Sequence, residues 1–268
     1  MVLFLAGDGL HGVELWRTDG TPAGTRLVKD LAIGSAPSFA RQPVALGGWA
    51  CFPAAGSAGT GLWRTDGTAA GTTLVKAFPW RSNGPDLRDL VVLEGKLFFL
   101  ADDGTHGLEL WCSDATSAGT RMVRDIQPGG KGGARKILGI VGGRLFLCAA
   151  DTTTGWELWA SRGQASTTVL VQDLVPGGGS SWIEEACAAG DKLYFSARTA
   201  LSGRELWVSD GTARGTRLVL EIMPGSLSSY PAQMASLGGI LHFRARHSSG
   251  GYELWRSDGT GPGTRLVK

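Results

Sequence analysis

The sequence predicts an all-β fold: a six-bladed β-propeller of four-stranded blades, with the first blade lacking its inner strand. Three observations carry this expectation. Trp16, Trp63, Trp111, Trp159, Trp207 and Trp255 are separated by 47 residues once and by 48 residues four times. Each sits in nearly the same text, as in Glu14-Leu15-Trp16-Arg17-Thr18-Asp19-Gly20-Thr21 and Glu253-Leu254-Trp255-Arg256-Ser257-Asp258-Gly259-Thr260, and a fixed period of this size marks an array of stacked equal units. Within a unit, four short apolar runs are punctuated by Gly and Asp; in the third they run from Leu90 to Leu93, Lys96 to Ala101, Leu108 to Cys112 and Arg121 to Arg124. Such lengths suit strands joined by tight turns. With 42 Gly and only 19% charged residues among 268, long solvated helices are not expected. The period groups residues 1–268 into one domain.

The four strands of a unit, A to D, each have a reason. Strand A holds small residues at one position, Val44, Val91, Gly139, Cys187 and Ala235, as crowding near a propeller axis favours. In strand B one register carries Phe4, Phe52, Phe99, Leu147, Phe195 and Phe243, and the adjacent register Leu3, Cys51, Phe98, Phe146, Tyr194 and His242. A strand covered on both faces reads this way, whereas one facing water would alternate. Strand C carries the motif Trp. Strand D is basic, with Arg26, Lys29, Arg121, Arg124, Arg217 and Arg265, which is expected to protect an outer sheet edge. Strands B, C and D occur six times but A only five times, because the chain opens inside strand B. The open edge there predicts self-association through the incomplete blade.

Asp19, Asp66, Asp114, Asp210 and Asp258 begin the turn between strands C and D. A carboxylate at this place can staple the turn by accepting from its own backbone amides. One carboxylate per turn is too few for calcium, which takes six to eight oxygens. Unit four has Arg162, Gln164 and Thr167 where other units have Asp, Thr and Gly, and this predicts the weakest turn. Glu14, Glu109, Glu157, Glu205 and Glu253 lie two residues before a motif Trp, on the same side of the strand. A buried carboxylate needs partners, so these predict a repeated lock onto backbone amides or a hydroxyl of the adjoining blade.

Several classes are disfavoured. The net charge is +2, with 26 basic and 24 acidic residues spread through the repeats, so neither nucleic acid nor membrane insertion is expected. Val2 to Ala6 is too short for a signal peptide. Cys51, Cys112, Cys148 and Cys187 occupy different places in the repeat and read as buried free thiols. His11 and His106 are equivalent, but their units are not adjacent. No catalytic grouping, metal site or cofactor motif stands out.

The loops between strand D and the next strand A vary most. Phe39, Asp86, Ala134, Trp182 and Tyr230 share one loop position, and Trp80 lies in another of these loops. Exposed aromatics there would stack on a ligand; the alternative is that they pack beneath their own Pro-Gly loops. Phe39, Trp80, Trp182 and Tyr230 are the candidate ligand-binding residues.

The run Glu-Leu-Trp-x-x-Asp-Gly-Thr, followed by Gly-Thr and Leu-Val-x-Asp, resembles the bacterial ELWxxDGT repeat family over Val2 to Lys268. The resemblance implies a repeat protein of the cell surface or exterior, although no leader is visible here. The expected function is a non-enzymatic interaction scaffold for a protein or glycan ligand. Its alternatives are a carbohydrate-binding lectin and, less favoured, an enzyme with its site in the central channel.

Overall fold

The computed structural model describes residues 1–81, 84–248 and 250–267, with the side chains of 81, 84 and 85 left aside. The fold is an all-β propeller, and among the described residues the only helical turn is the short 3-10 segment Ala165–Thr167. Blade one holds three antiparallel strands, β1 (Val2–Gly7), β2 (Val13–Thr18) and β3 (Arg26–Leu27). Blade two is β4 (Val44–Leu46), β5 (Trp49–Gly56), β6 (Gly59–Thr65) and β7 (Thr73–Ala77). A two-stranded ribbon, β8 (Trp80–Arg81) with β9 (Gly84–Pro85), precedes blade three, which is β10 (Leu87–Leu93), β11 (Lys96–Asp102), β12 (Leu108–Ser113) and β13 (Arg121–Arg124). Blade four is β14 (Ala134–Val141), β15 (Arg144–Ala149), β16 (Glu157–Ser161) and β17 (Val169–Gln172). Blade five is β18 (Ala186–Ala189), β19 (Lys192–Thr199), β20 (Gly203–Ser209) and β21 (Arg217–Leu220). Blade six is β22 (Ala232–Leu237), β23 (Ile240–Arg246), β24 (Tyr252–Ser257) and β25 (Arg265–Leu266).

The chain divides into two compact units, Met1–Asp125 with Gly129–Gly132, and Ile126–Pro128 with Gly133–Lys268. Blades one to three lie in the first and blades four to six in the second. Within a unit, successive blades approach through their first strands, β4 against β10 in one, and β14 against β18 and β18 against β22 in the other. This is the inner position that the small residues of strand A predict. Each motif Trp is paired across the sheet with the strand B aromatic or Leu, as in Phe52 with Trp63, Phe99 with Trp111 and Phe195 with Trp207.

Strand B is covered on both faces in the middle blades: Leu97 to Ala101 and Leu145 to Ala149 are buried without a break. Burying each large apolar side chain contributes about 1.5 to 3 kcal/mol, so these strands carry much of the core. Blade six departs from the expectation. Leu241, Phe243 and Ala245 are fully buried, but His242 is only half-buried and Arg244 and Arg246 are exposed. That alternation is written in the text Ile-Leu-His-Phe-Arg-Ala-Arg, and His242 belongs to its open face. Four of the motif indoles, Trp63, Trp111, Trp159 and Trp255, are buried; Trp16 and Trp207 are half-buried.

The turn staple forms as expected. The carboxylate Oδ1 of Asp19, Asp66, Asp114, Asp210 and Asp258 accepts from both the amide and the hydroxyl of the Thr two residues on. These bonds hold each aspartate charged, and its pKa is lowered from 3.8, first by the Thr hydroxyl.

Blade four builds its turn differently, with bonds of 3.1 to 3.3 Å where the aspartate staples have 2.6 to 3.0 Å. Thr167 Oγ1 accepts from the amides of Arg162 and Gln164 at 3.2 and 3.3 Å, and donates to the Gln164 carbonyl at 3.1 Å. A hydroxyl from one side of the turn replaces a carboxylate from the other.

The basic residues are also more than a solvated edge. Arg217 Nη2 of strand D donates to the Gly259 carbonyl at 2.7 Å, and Lys29 Nζ to the Thr72 carbonyl at 2.8 Å. Arg17, Arg64 and Arg144, from strands C and B, likewise reach the carbonyls of Gly67, Ala115 and Gly211. Each ties the turn of the following blade.

Candidate functional site

The buried glutamates organise the loop face. Glu14, Glu109, Glu157 and Glu205 are fully buried. Glu205 Oε1 accepts from the amides of Met223 and Ser229, both at 3.1 Å, and Oε2 from the Ile222 amide at 3.2 Å and the Ser229 hydroxyl at 2.5 Å. Glu157 repeats this with the amides of Leu174 and Ser181, and Glu14 with those of Leu31 and Ala32. The donors come from the loop that leads to the next blade. Burial raises all three carboxyls against these bonds, Glu157 and Glu205 to about 7.

The same loops use one serine to join two blades. Ser38, Ser181 and Ser229 are fully buried. Their amides donate to Val13, Trp156 and Arg204 at the start of one strand C, and their carbonyls accept from Ala55, Arg198 and Arg246 near the end of the next strand B.

The residue after each serine is an aromatic with left-handed backbone: Phe39 at φ 53°, Trp182 at φ 49° and Tyr230 at φ 51°. A bulky residue in this region costs on the order of 1 to 2 kcal/mol. Its side chain nevertheless points out, since Phe39, Trp182 and Tyr230 are 41%, 44% and 48% exposed. These aromatics therefore do not lie beneath their own loops, and the serine-centred hydrogen bonds over-determine the strained step.

The candidate residues divide between the two units. In the first, Phe39 and Trp80 meet edge to face with ring centroids 5.1 Å apart. In the second, Trp182 has the Arg135 guanidinium 5.5 Å from its ring centre and lines a cleft of about 200 Å³ with Val175, Ser180, Arg198, Thr199 and Ala200. Arg204 is buried behind it, donating to the Trp182 carbonyl at 2.7 Å and to Glu184 Oε1 at 3.3 Å. Tyr230 follows Ser229 in the next loop. At the same position Asp86 is half-buried and Ala134 is buried within β14.

Arg135, Arg198 and Arg204 were not legible as site residues, because a lone arginine in a repeat carries no sign of its neighbours. The Asp partners of the two equivalent histidines were within reach of the sequence. Asp8 Oδ2 bonds His11 Nδ1 at 2.7 Å and Asp103 Oδ2 bonds His106 Nδ1 at 2.8 Å, each at the spacing Asp-x-x-His. The bond raises both imidazoles above 6.5, while Asp8 falls to about 2.

Among the described residues no three His, Cys, Asp or Glu side chains converge as a metal site. Cys51, Cys112 and Cys148 are buried free thiols and Cys187 is half-buried. Among the described residues no helix is long and apolar enough to cross a membrane.

No family model matches the chain, and no curated protein matches it. Solved structures do. A prolyl endopeptidase matches with a TM-score of 0.58 at 12% identity, over 98% of this chain and 39% of that one. A puromycin-hydrolyzing peptidase of Mycobacterium tuberculosis matches with 0.54 at 13% identity, over 100% of this chain and 44% of that one. The β-propeller domain of the Trilobed protease from Pyrococcus furiosus, described as having an open velcro topology, matches with 0.50 at 10% identity, over 99% of this chain and 77% of that domain.

At these identities the likeness establishes the fold. This chain spans less than half the length of the peptidases it matches. The comparisons correct the expectation of a non-enzymatic scaffold, or of a lectin, because the fold is shared mostly with peptidases in which it makes up one part.

Proposed function

We propose that this chain is the propeller portion of a peptidase and that its loop aromatics meet peptide ligands. The observation that carries the reading is the coverage: nearly all of this chain matches 39 to 45% of each of several peptidase chains. The geometry on the loop face agrees. Phe39 with Trp80 in one unit offers apolar ring faces, and Trp182 with Arg135 and Arg198 in the other offers a ring beside cations, groups that take a peptide by its ring side chains and carboxylates. Hydrolysis belongs, on this reading, to a separate catalytic portion, and the propeller selects what reaches it. The ELWxxDGT resemblance adds a bacterial surface or exterior location to the proposal.

The test is to express the natural reading frame containing these residues and assay aminoacyl arylamides and peptides of increasing length. The reading expects hydrolysis, with a length preference that relaxes when residues 1–268 are removed. A frame with no hydrolase portion, inactive on every peptide, contradicts it.

A further inference from the structure

Blade four carries an exchange whose two halves fit each other. In the other blades a Cβ added to Gly24, Gly71, Gly119, Gly215 or Gly263 would collide with the carboxylate of Asp19, Asp66, Asp114, Asp210 or Asp258. The glycine and the aspartate therefore share one space, which only one of them can fill. In blade four Thr167 fills it and satisfies the turn. The residue at the aspartate position is then free of any task in the turn, and it is Arg162.

Arg162 lines a cleft of about 270 Å³ between blades four and five with Arg144, Ser161, Thr167, Val169 and Thr212. Arg144 spends Nη1 on the Gly211 carbonyl at 3.1 Å, which leaves most of its five donors unused. The Arg162 guanidinium has no hydrogen-bond partner among the described residues. The Asp210 carboxylate beside Gly211 and Thr212 of the cleft is engaged in its own turn, where it holds the Thr212 amide and hydroxyl at 2.8 and 2.7 Å.

A corresponding cleft in blade one is lined by Arg17 together with Asp19, so cation and anion offset each other there. In blade four the exchange removes the acid and adds a second guanidinium. Paired guanidiniums with hydroxyls beside them bind oxyanions through charge-assisted, bidentate bonds.

We propose that the cleft between Arg144 and Arg162 is a binding site for a phosphate or sulfate group. The site is independent of the peptidase reading, and either can fail alone.

The test is calorimetric titration of the chain with inorganic phosphate and with sulfate, against chloride at matched ionic strength. Three proteins are compared: wild type, Arg162→Gln, and the triple variant Arg162→Asp with Gln164→Thr and Thr167→Gly, which restores the turn chemistry of the other five blades and so keeps the fold. Saturable binding to wild type, weakened at least tenfold in both variants, is the expected result. Phosphoserine and a sulfated monosaccharide, titrated alongside, show whether the group arrives free or on a carrier, and tighter binding of either supports the same site. Equal binding by all three proteins, or phosphate acting no differently from chloride, overturns the proposal.

Discussion

Blades five and six share the text Glu-Leu-Trp, yet its consequences differ. In blade five Glu205 and Leu206 are fully buried and the carboxylate takes four hydrogen bonds. In blade six Glu253 is only half-buried and Leu254 is 46% exposed. The donors to Glu205 lie 17, 18 and 24 residues downstream, in the loop leading to the next blade. The motif therefore supplies the acceptor, and the following loop supplies burial and partners. The physical unit of this fold is staggered against its sequence repeat.

The comparison breaks most visibly at the leucines. Leu206→Ala is expected to cost about 2 to 5 kcal/mol, as for a buried leucine, and Leu254→Ala less than about 1 kcal/mol. Urea unfolding of the two variants measures the gap; equal losses would mean that the blades are equally packed.

The glutamates come next. Glu205→Ala leaves the amides of Ile222 and Met223 and the Ser229 hydroxyl without their acceptor and should cost about 1 to 3 kcal/mol, while Glu253→Ala should stay within about 0.5 kcal/mol. Burial raises Glu157 and Glu205 from 4.5 to about 7, so between those values the folded chain holds protons that the unfolded chain has released. Stability must therefore fall as pH rises through that window and level off above it. Denaturation at pH 5 and pH 8 should show this slope in wild type, and a shallower one in Glu205→Gln.

The smallest effect separates backbone from side chain. Trp182→Gly and Trp182→Ala lose the same contacts, but at φ 49° glycine is unstrained. The Gly variant should be more stable than the Ala variant by about 1 kcal/mol, the reverse of the usual order. A less stable Gly variant would show that the left-handed step is not held in solution.

Much of the fold was legible because the period, the strand lengths and the turn chemistry all agree. Strand B of blade three reads as covered on both faces, and it is. Blade six was misread at His242, where a matching register position outweighed the alternating Arg244 and Arg246. In blade four Arg162 and Thr167 look like two losses when each is compared alone, and that Thr167 supplies hydrogen bonds of its own to the turn is a fact of three dimensions. Phe39, Trp182 and Tyr230 could be found by position. Their left-handed backbone and the buried serines before them could not, because both depend on hydrogen bonds to strands 25 residues before and 17 residues after each serine.

The central claim is that buried glutamates and serines hold the aromatic loop face in place before any ligand arrives. Amide hydrogen exchange at Ser181 and Ser229 tests it most directly. Both amides should be strongly protected in wild type. Each should exchange faster in its own variant, Glu157→Ala or Glu205→Ala, while Glu253→Ala changes neither. Unprotected amides in wild type, or protection indifferent to Glu157 and Glu205, would contradict the account.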